Sequence, residues 1–306
     1  MEDDTMKESV MREIVRTAML LRSSKRLFSK EKKAEKELKK MAKRPRAYQF
    51  KKAGRLCSQV RESNTHGLHH FVLSSKTGSG KKQILYLHGG AFARQPSFLQ
   101  WRFADKLVER THASLAFVVY PKTPLHTHDE TFEKLLLLYR DMLQSADGEE
   151  IIFVGDSAGA NIALAFSVWL QGQGLAPPAK VICFSPCVDL QLNNPGITKK
   201  LRKKDPILGV DGLLVFIKAW AGGAPLNHPL ISPLYADLSL LPPTTVFIGS
   251  DEILLPDVRL FKKLARECGV EIELHVYEKL YHCFFLFPLK EAKEAVDRTV
   301  KLIAES

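Results

Sequence analysis

A chain of 306 residues with 45% hydrophobic content is large enough for one α/β domain built around a buried sheet. No apolar run approaches the roughly 18 residues of a membrane-spanning helix, and the acidic start Met1-Glu2-Asp3-Asp4 does not read as a secretory signal. The five cysteines, Cys57, Cys183, Cys187, Cys268 and Cys283, show neither metal nor disulfide spacing, so a reducing cytoplasm is the expected compartment.

The net charge of +11 is concentrated near the N-terminus, where residues 22–52 carry 14 Lys plus Arg against 3 Glu; the rest of the chain is neutral overall. Residues 4–21 predict a helix with Met6, Val10, Ile14, Ala18 and Leu21 along one face, and Lys30 to Lys43 predict a second, very basic helix ended by Pro45. A solvated helical cap accounts for such a segment, and a weak contact with an anionic membrane is the sharper alternative. Nucleic acid is not expected as a partner, because aromatic interleaving is sparse and no recognition motif is present.

Apolar runs near 69–74, 83–88, 114–120, 150–155, 179–185, 244–250 and 271–277 predict strands that alternate with helical segments. That alternation predicts a mostly parallel sheet covered by helices on both faces. The run Lys76 to Lys82 looks superficially like a phosphate loop, but it lacks the first glycine and the terminal Ser/Thr and precedes a strand, so it reads as a turn. The second predicted strand ends in Leu87-His88-Gly89-Gly90-Ala91-Phe92, and two glycines without side chains let backbone N–H groups approach a ligand closely.

Gly155-Asp156-Ser157-Ala158-Gly159 follows the apolar run Ile151 to Val154 and precedes a helical pattern over Asn161 to Gln171. A strand-turn-helix context of this kind suits a nucleophile elbow, in which glycines on either side spare the tight turn a Cβ clash. A serine hydroxyl needs a base oriented by a third group. Asp251 stands at the end of the 244–250 strand and His282 in the loop after the 271–277 strand, ahead of a helix over Pro288 to Ala304. Asp257 is a rival acid, better placed for the first turn of a helix, and His126 and His128 precede the acid and so fit the order poorly. Asp156 reads as a structural hydrogen-bonding residue.

Four separated motifs, His88-Gly89-Gly90-Ala91-Phe92, Gly155 to Gly159, Ser250-Asp251-Glu252 and Tyr281-His282-Cys283-Phe284, together resemble the hormone-sensitive-lipase-like carboxylesterases of the α/β-hydrolase fold from about Gln83 onward. Pro229 to Leu234 and Leu241-Pro242-Pro243 also look like that family's approach to the acid-bearing strand. Two departures stand out. Tyr120-Pro121-Lys122-Thr123-Pro124-Leu125 replaces a frequent Tyr-Arg-Leu-Ala-Pro-Glu run, and Ala91 replaces a frequent third glycine.

The resemblance implies a serine carboxylesterase acting on short- to medium-chain esters through an acyl-enzyme, with no metal or organic cofactor. Ser157 would be the nucleophile, His282 the base and Asp251 the acid, with the N–H groups of Gly89, Gly90 and Ala158 binding the oxyanion. Phe92, Trp101 and Phe216 are candidate pocket walls. The alternatives are a lactone or amide hydrolase with the same triad, or a hydrolase-like protein that binds a small ligand without turning it over. Between Asp189 and Leu234 the pattern breaks into Pro-, Gly- and Lys-rich pieces around a predicted helix, Gly212 to Trp220. The expected layout is a single domain with a cap from about 1–60 and 190–234 on a catalytic core of 61–189 and 235–306.

Overall fold

The structure, a computed structural model, describes residues 2–21, 24–45, 47–50, 56–78, 80–146 and 149–305, with the side chains of 2–9, 20 and 21 outside the description. Met6 and Leu21 of the expected apolar face, Ser79 of the expected turn, and Arg22, Arg46, Lys51 and Lys52 of the basic run therefore lie outside the described side chains or residues. The chain opens with helices α1 (Glu2–Leu21), α2 (Ser24–Phe28) and α3 (Glu31–Lys43), then a hairpin of β1 (Gln59–Thr65) and β2 (Leu68–Ser74). Strands and helices alternate from there: β3 (Lys82–Leu87), α4 (Phe98–Thr111), β4 (Ser114–Val118), α5 (His128–Ser145), β5 (Glu150–Asp156), α6 (Ala158–Gly172) and β6 (Lys180–Phe184). Helices α7 (Lys199–Lys204) and α8 (Val210–Ala221) precede β7 (Thr244–Gly249), α9 (Leu255–Glu267), β8 (Ile272–Tyr277) and α10 (Lys290–Ala304).

The eight strands form one sheet in the order β1-β2-β4-β3-β5-β6-β7-β8. β1, β2 and β4 pair antiparallel and every later pairing is parallel. The central strands are apolar throughout because both faces are covered, and alternate residues go to opposite cores. Leu85, Leu87, Ile151, Phe153, Val181 and Val246 face a core shared with α5, α6, α8 and α9. Ile84, Tyr86, Ile152, Val154, Ile182 and Phe247 face the other, shared with α4 and α10. β1 is the strand absent from the expected set. Its sequence, Gln-Val-Arg-Glu-Ser-Asn-Thr, is polar apart from Val60, which packs against the second core, as suits an exposed edge strand.

Helix α1 lies with Val15 and Met19 buried in the second core, while Val10 and Ile14 are more than half exposed. Its buried stripe is therefore one position further along than the periodicity suggests. Helices α2 and α3 pack on α8, where Phe28 meets Phe216 edge-on at 5.7 Å. The α2–α8 approach is close enough that a Cβ on Gly212 would stand 2.2 Å from the Leu27 carbonyl oxygen, which excludes any larger residue there. No described helix is long and apolar enough to cross a membrane.

Candidate active site

Strand β5 ends at Asp156, and α6 begins at Ala158, leaving Ser157 to make the turn alone at φ 52°, ψ −118°. A non-glycine residue at positive φ stores on the order of 1–3 kcal/mol of strain, and the surroundings here hold it. The Ser157 N–H donates to the Phe184 carbonyl at 2.8 Å, and its own carbonyl accepts from Asn161 N–H at 3.1 Å. Gly159 is required for contact: a Cβ there would stand 1.9 Å from the Leu87 carbonyl oxygen. The turn aims Ser157 Oγ at His282 Nε2, 2.8 Å away.

Behind the histidine stands Glu252, whose Oε2 is 2.9 Å from His282 Nδ1. Asp251, the acid expected from the sequence, does not face the histidine. Its two oxygens meet Arg16 of α1 and Lys204 of α7, each at 3.2 Å. The reason is local. After β7 the chain turns over Gly249–Glu252, with the Glu252 N–H reaching back to the Gly249 carbonyl, so residue 252 returns to the sheet edge while 251 projects toward the helices. Glu252 is fully buried and accepts from Gly249 N–H at 2.6 Å and Ser185 Oγ–H at 2.7 Å as well as from His282.

Burial lifts the Glu252 carboxyl above the usual carboxylate range, against the pull of these donors. An oxygen pair surrounded by donors is the arrangement of an acceptor-only carboxylate. Burial alone would depress His282, but the hydrogen bond and charge of Glu252 outweigh it and hold the imidazole above its ordinary pKa. Asp257, the rival acid, accepts from Asn194 Nδ2 at 2.8 Å, and burial raises its carboxyl to about 6. His126 pairs with Glu130 and His128 lies beside Trp220, so neither reaches Ser157.

The loop after β3 is held from below by Asp156, which accepts from Tyr86 Oη–H at 2.6 Å and Gln100 Nε2 at 2.8 Å. The Gly89 backbone faces the same carboxylate and helps hold its pKa down against burial. Gly89 stays essential for space, since a Cβ would meet Asp156 Oδ2 at 2.5 Å. The N–H groups of Gly89, Gly90 and Ala91 have no acceptor among the described hydrogen bonds, and all three residues line the cavity with Ala158. Ala91 and Phe92 sit at φ 52° and 59°, the left-handed backbone that makes a third glycine the easier choice.

The cavity beside Ser157 and His282 has a volume of about 210 Å³ and is walled by Phe28, Phe92, Leu208, Leu213, Ile217 and Leu286. Phe92 thus takes the expected place, stacked on Trp220 at 4.7 Å. Trp101 does not: it is buried on the opposite face of the sheet, stacked on Phe117 at 4.1 Å. Phe216 is fully buried behind Phe28, which presents the aromatic surface in its stead. A larger cavity of about 1000 Å³, bordered by Lys122, His126 and Tyr48, does not include Ser157. No cluster of metal-ligating side chains occurs among the described residues.

Comparison with known proteins agrees with this geometry. Residues 84–286 match the family described as the alpha/beta hydrolase fold. An esterase of Acinetobacter venetianus is 33% identical over 222 residues, spanning 71% of this chain and 73% of its own. An acetyl-hydrolase of Streptomyces hygroscopicus is 27% identical over 219 residues, with the same coverage of 71% and 73%. Among solved structures, a candidate esterase from Staphylococcus aureus superposes with a TM-score of 0.87 at 27% identity, covering 92% of this chain and 96% of that one. A hormone-sensitive lipase from a metagenome library gives a TM-score of 0.77 at 26% identity, covering 89% and 91%. With the fold, the elbow and these relatives in agreement, the chain belongs to the α/β-hydrolase-fold family, among its hormone-sensitive-lipase-like carboxylesterases.

Proposed function

We propose that the protein hydrolyses short- to medium-chain carboxylic esters, with Ser157, His282 and Glu252 as its triad and the N–H groups of the Gly89-Gly90-Ala91 loop and of Ala158 as its oxyanion hole. The observation that carries this reading is the continuous chain from Ser157 Oγ through His282 to Glu252, at 2.8 and 2.9 Å, beneath a small apolar cavity. Ser157 Oγ attacks the ester carbonyl as His282 Nε2 takes its proton, and Glu252 stabilises the imidazolium. The carbonyl oxygen becomes negative and takes the backbone donors, worth on the order of 3 kcal/mol each. The intermediate collapses as His282 returns the proton to the departing alcohol. Water then attacks the acyl-serine with His282 as base, and the carboxylic acid leaves. Neither metal nor organic cofactor enters these steps.

The cavity volume of about 210 Å³ favours acyl groups of a few carbons. The cap of about 1–60 and 190–234 reaches the site through Ser24 and Phe28 of α2 and through Leu208 and Leu213. Labelling by a fluorophosphonate tests the nucleophile: Ser157→Ala abolishes labelling and turnover of p-nitrophenyl butyrate. Full activity in that variant overturns the mechanism.

The same surface supports a weak contact with anionic membranes from the cytoplasmic side. Lys199, Lys200, Arg202, Lys203 and Lys204 of α7 are exposed, and α1, which bonds to the Lys204 carbonyl through Arg16, exposes Val10, Met11 and Ile14. Cations beside an exposed apolar stripe suit an anionic bilayer interface. Flotation with phosphatidylserine vesicles at low salt tests this, and no binding in low salt rejects it.

A further inference from the structure

Arg94 is the one lysine or arginine among the described residues lining the cavity that holds Ser157. Arg94 lines it beside Phe28, Phe92 and Leu213, with its guanidinium 5.0 Å from the Phe28 ring centre. Its backbone is fixed to the oxyanion loop, because the Arg94 N–H donates to the Gly90 carbonyl at 2.9 Å. Its charge has no carboxylate within ion-pair distance among the described residues. The nearest influence is the field of Glu37, a residue that borders the other cavity and is paired to Lys40. The carboxylate that borders the catalytic cavity, Asp156, is occupied by Tyr86 and Gln100.

A guanidinium has five donors and retains its charge in proteins, and the Phe28 face meets that charge without using the donors that an anion would take. Burial already pulls Arg94 below the ordinary arginine pKa, which measures the cost of burying that charge. A plain apolar cavity would serve neutral esters better with leucine or methionine at this position. With a volume of about 210 Å³, the cavity leaves room for only a few carbons between the scissile carbonyl and a group meeting Arg94.

We propose that Arg94 is a specificity-determining residue that selects esters carrying an anionic group, a carboxylate or phosphate, a few atoms from the scissile bond. This rests on the esterase reading above and adds the chemical class of the substrate. The anion would sit on the acyl side, as in a half-ester of a short dicarboxylic acid, or on the alcohol side. A charged hydrogen bond to Arg94 predicts a preference of about ten- to hundredfold over a neutral substrate of the same shape.

Two substrate pairs test this in a pH-stat assay of kcat/KM. Ethyl hydrogen succinate against ethyl 4-methylpentanoate places the charge on the acyl side; 3-butyryloxypropanoate against isopentyl butyrate places it on the alcohol side. The anionic member of one pair is expected to be preferred at least tenfold, identifying the side. Arg94→Met should abolish that preference and Arg94→Lys retain part of it. If neither pair favours its anionic member tenfold, or Arg94→Met keeps the preference, the proposal is overturned. Failure of the esterase reading is separately visible as no turnover of any ester. In that event calorimetric titration of Ser157→Ala protein with the same pairs decides: tighter binding of an anionic member that Arg94→Met removes upholds the role of Arg94, and equal binding overturns it.

Discussion

Glu252 Oε2 lies 2.9 Å from His282 Nδ1, while the neighbouring Asp251 spends both oxygens on Arg16 and Lys204. Adjacent carboxylates thus have separate duties, one behind the base and one clasping α1 and α7 to the acid-bearing loop. Glu252→Gln should lower kcat about 10³–10⁴-fold, because an amide permits the wrong imidazole tautomer and no longer stabilises the imidazolium. Asp251→Asn should leave kcat/KM within about threefold and cost about 1 kcal/mol of stability, its partners being partly exposed. Ester kinetics beside urea unfolding of both variants check the pair; a catalytic collapse in Asp251→Asn with normal rates in Glu252→Gln reverses the assignment.

The pH profile follows from the same contact. Glu252 holds the His282 imidazole above its ordinary pKa, and the attack step needs the neutral form. The activity therefore rises with pH through that elevated midpoint and is lost as pH falls below it. Removing the Glu252 charge leaves burial as the dominant influence, which favours the neutral ring. In Glu252→Gln the acid limb of kcat/KM should move to lower pH, although the plateau drops. An unmoved limb would show that some other group controls it.

Much of this site was legible in the sequence because the elbow is set by local geometry. Gly155, Ser157 and Gly159 are dictated by a turn of fixed shape, and the strand-turn-helix context is visible in periodicity alone. The acid was less so: the rule that function gathers at strand ends selects the 251–252 pair, but which carboxylate turns inward depends on the Gly249–Glu252 turn, a tertiary matter. Gly89 is needed to clear Asp156, a close approach that only coordinates reveal. Trp101 and Phe216 are apolar for the sake of the core, and hydrophobicity alone does not say which core a ring joins.

Gly159→Ala separates spatial need from conformational preference. The added Cβ would stand 1.9 Å from the Leu87 carbonyl oxygen, 2.4 Å from its carbon and 2.7 Å from the His88 carbonyl oxygen, all backbone with no rotamer to yield. Alanine is otherwise the better helix former, so an effect through propensity would be stabilising. The expected outcome is a loss of about 3 kcal/mol or more, or failure to accumulate folded protein, as β3 and α6 are forced apart. Thermal melts and fluorophosphonate labelling check it; a variant as stable as the parent would contradict the close approach.

Lys122, at the departure from the Tyr-Arg-Leu-Ala-Pro-Glu pattern, is buried beside the larger cavity, where its Nζ donates to the Tyr120 carbonyl at 2.8 Å and desolvation lowers its pKa to about 7. In the unfolded chain the same lysine titrates near 10.4. Between these values the unfolded state holds more protons, so stability should rise as pH increases from about 7 toward 10, and the full cost of burying the cation is felt below 7. Lys122→Met removes that cost but leaves the Tyr120 carbonyl without its donor, a loss of about 1–3 kcal/mol. Net stabilisation of about 1–3 kcal/mol is therefore expected at pH 6, shrinking and reversing toward pH 10. Urea unfolding of both proteins across that range measures the difference directly, and parallel pH curves would show that Lys122 is not the buried, reluctant cation described here.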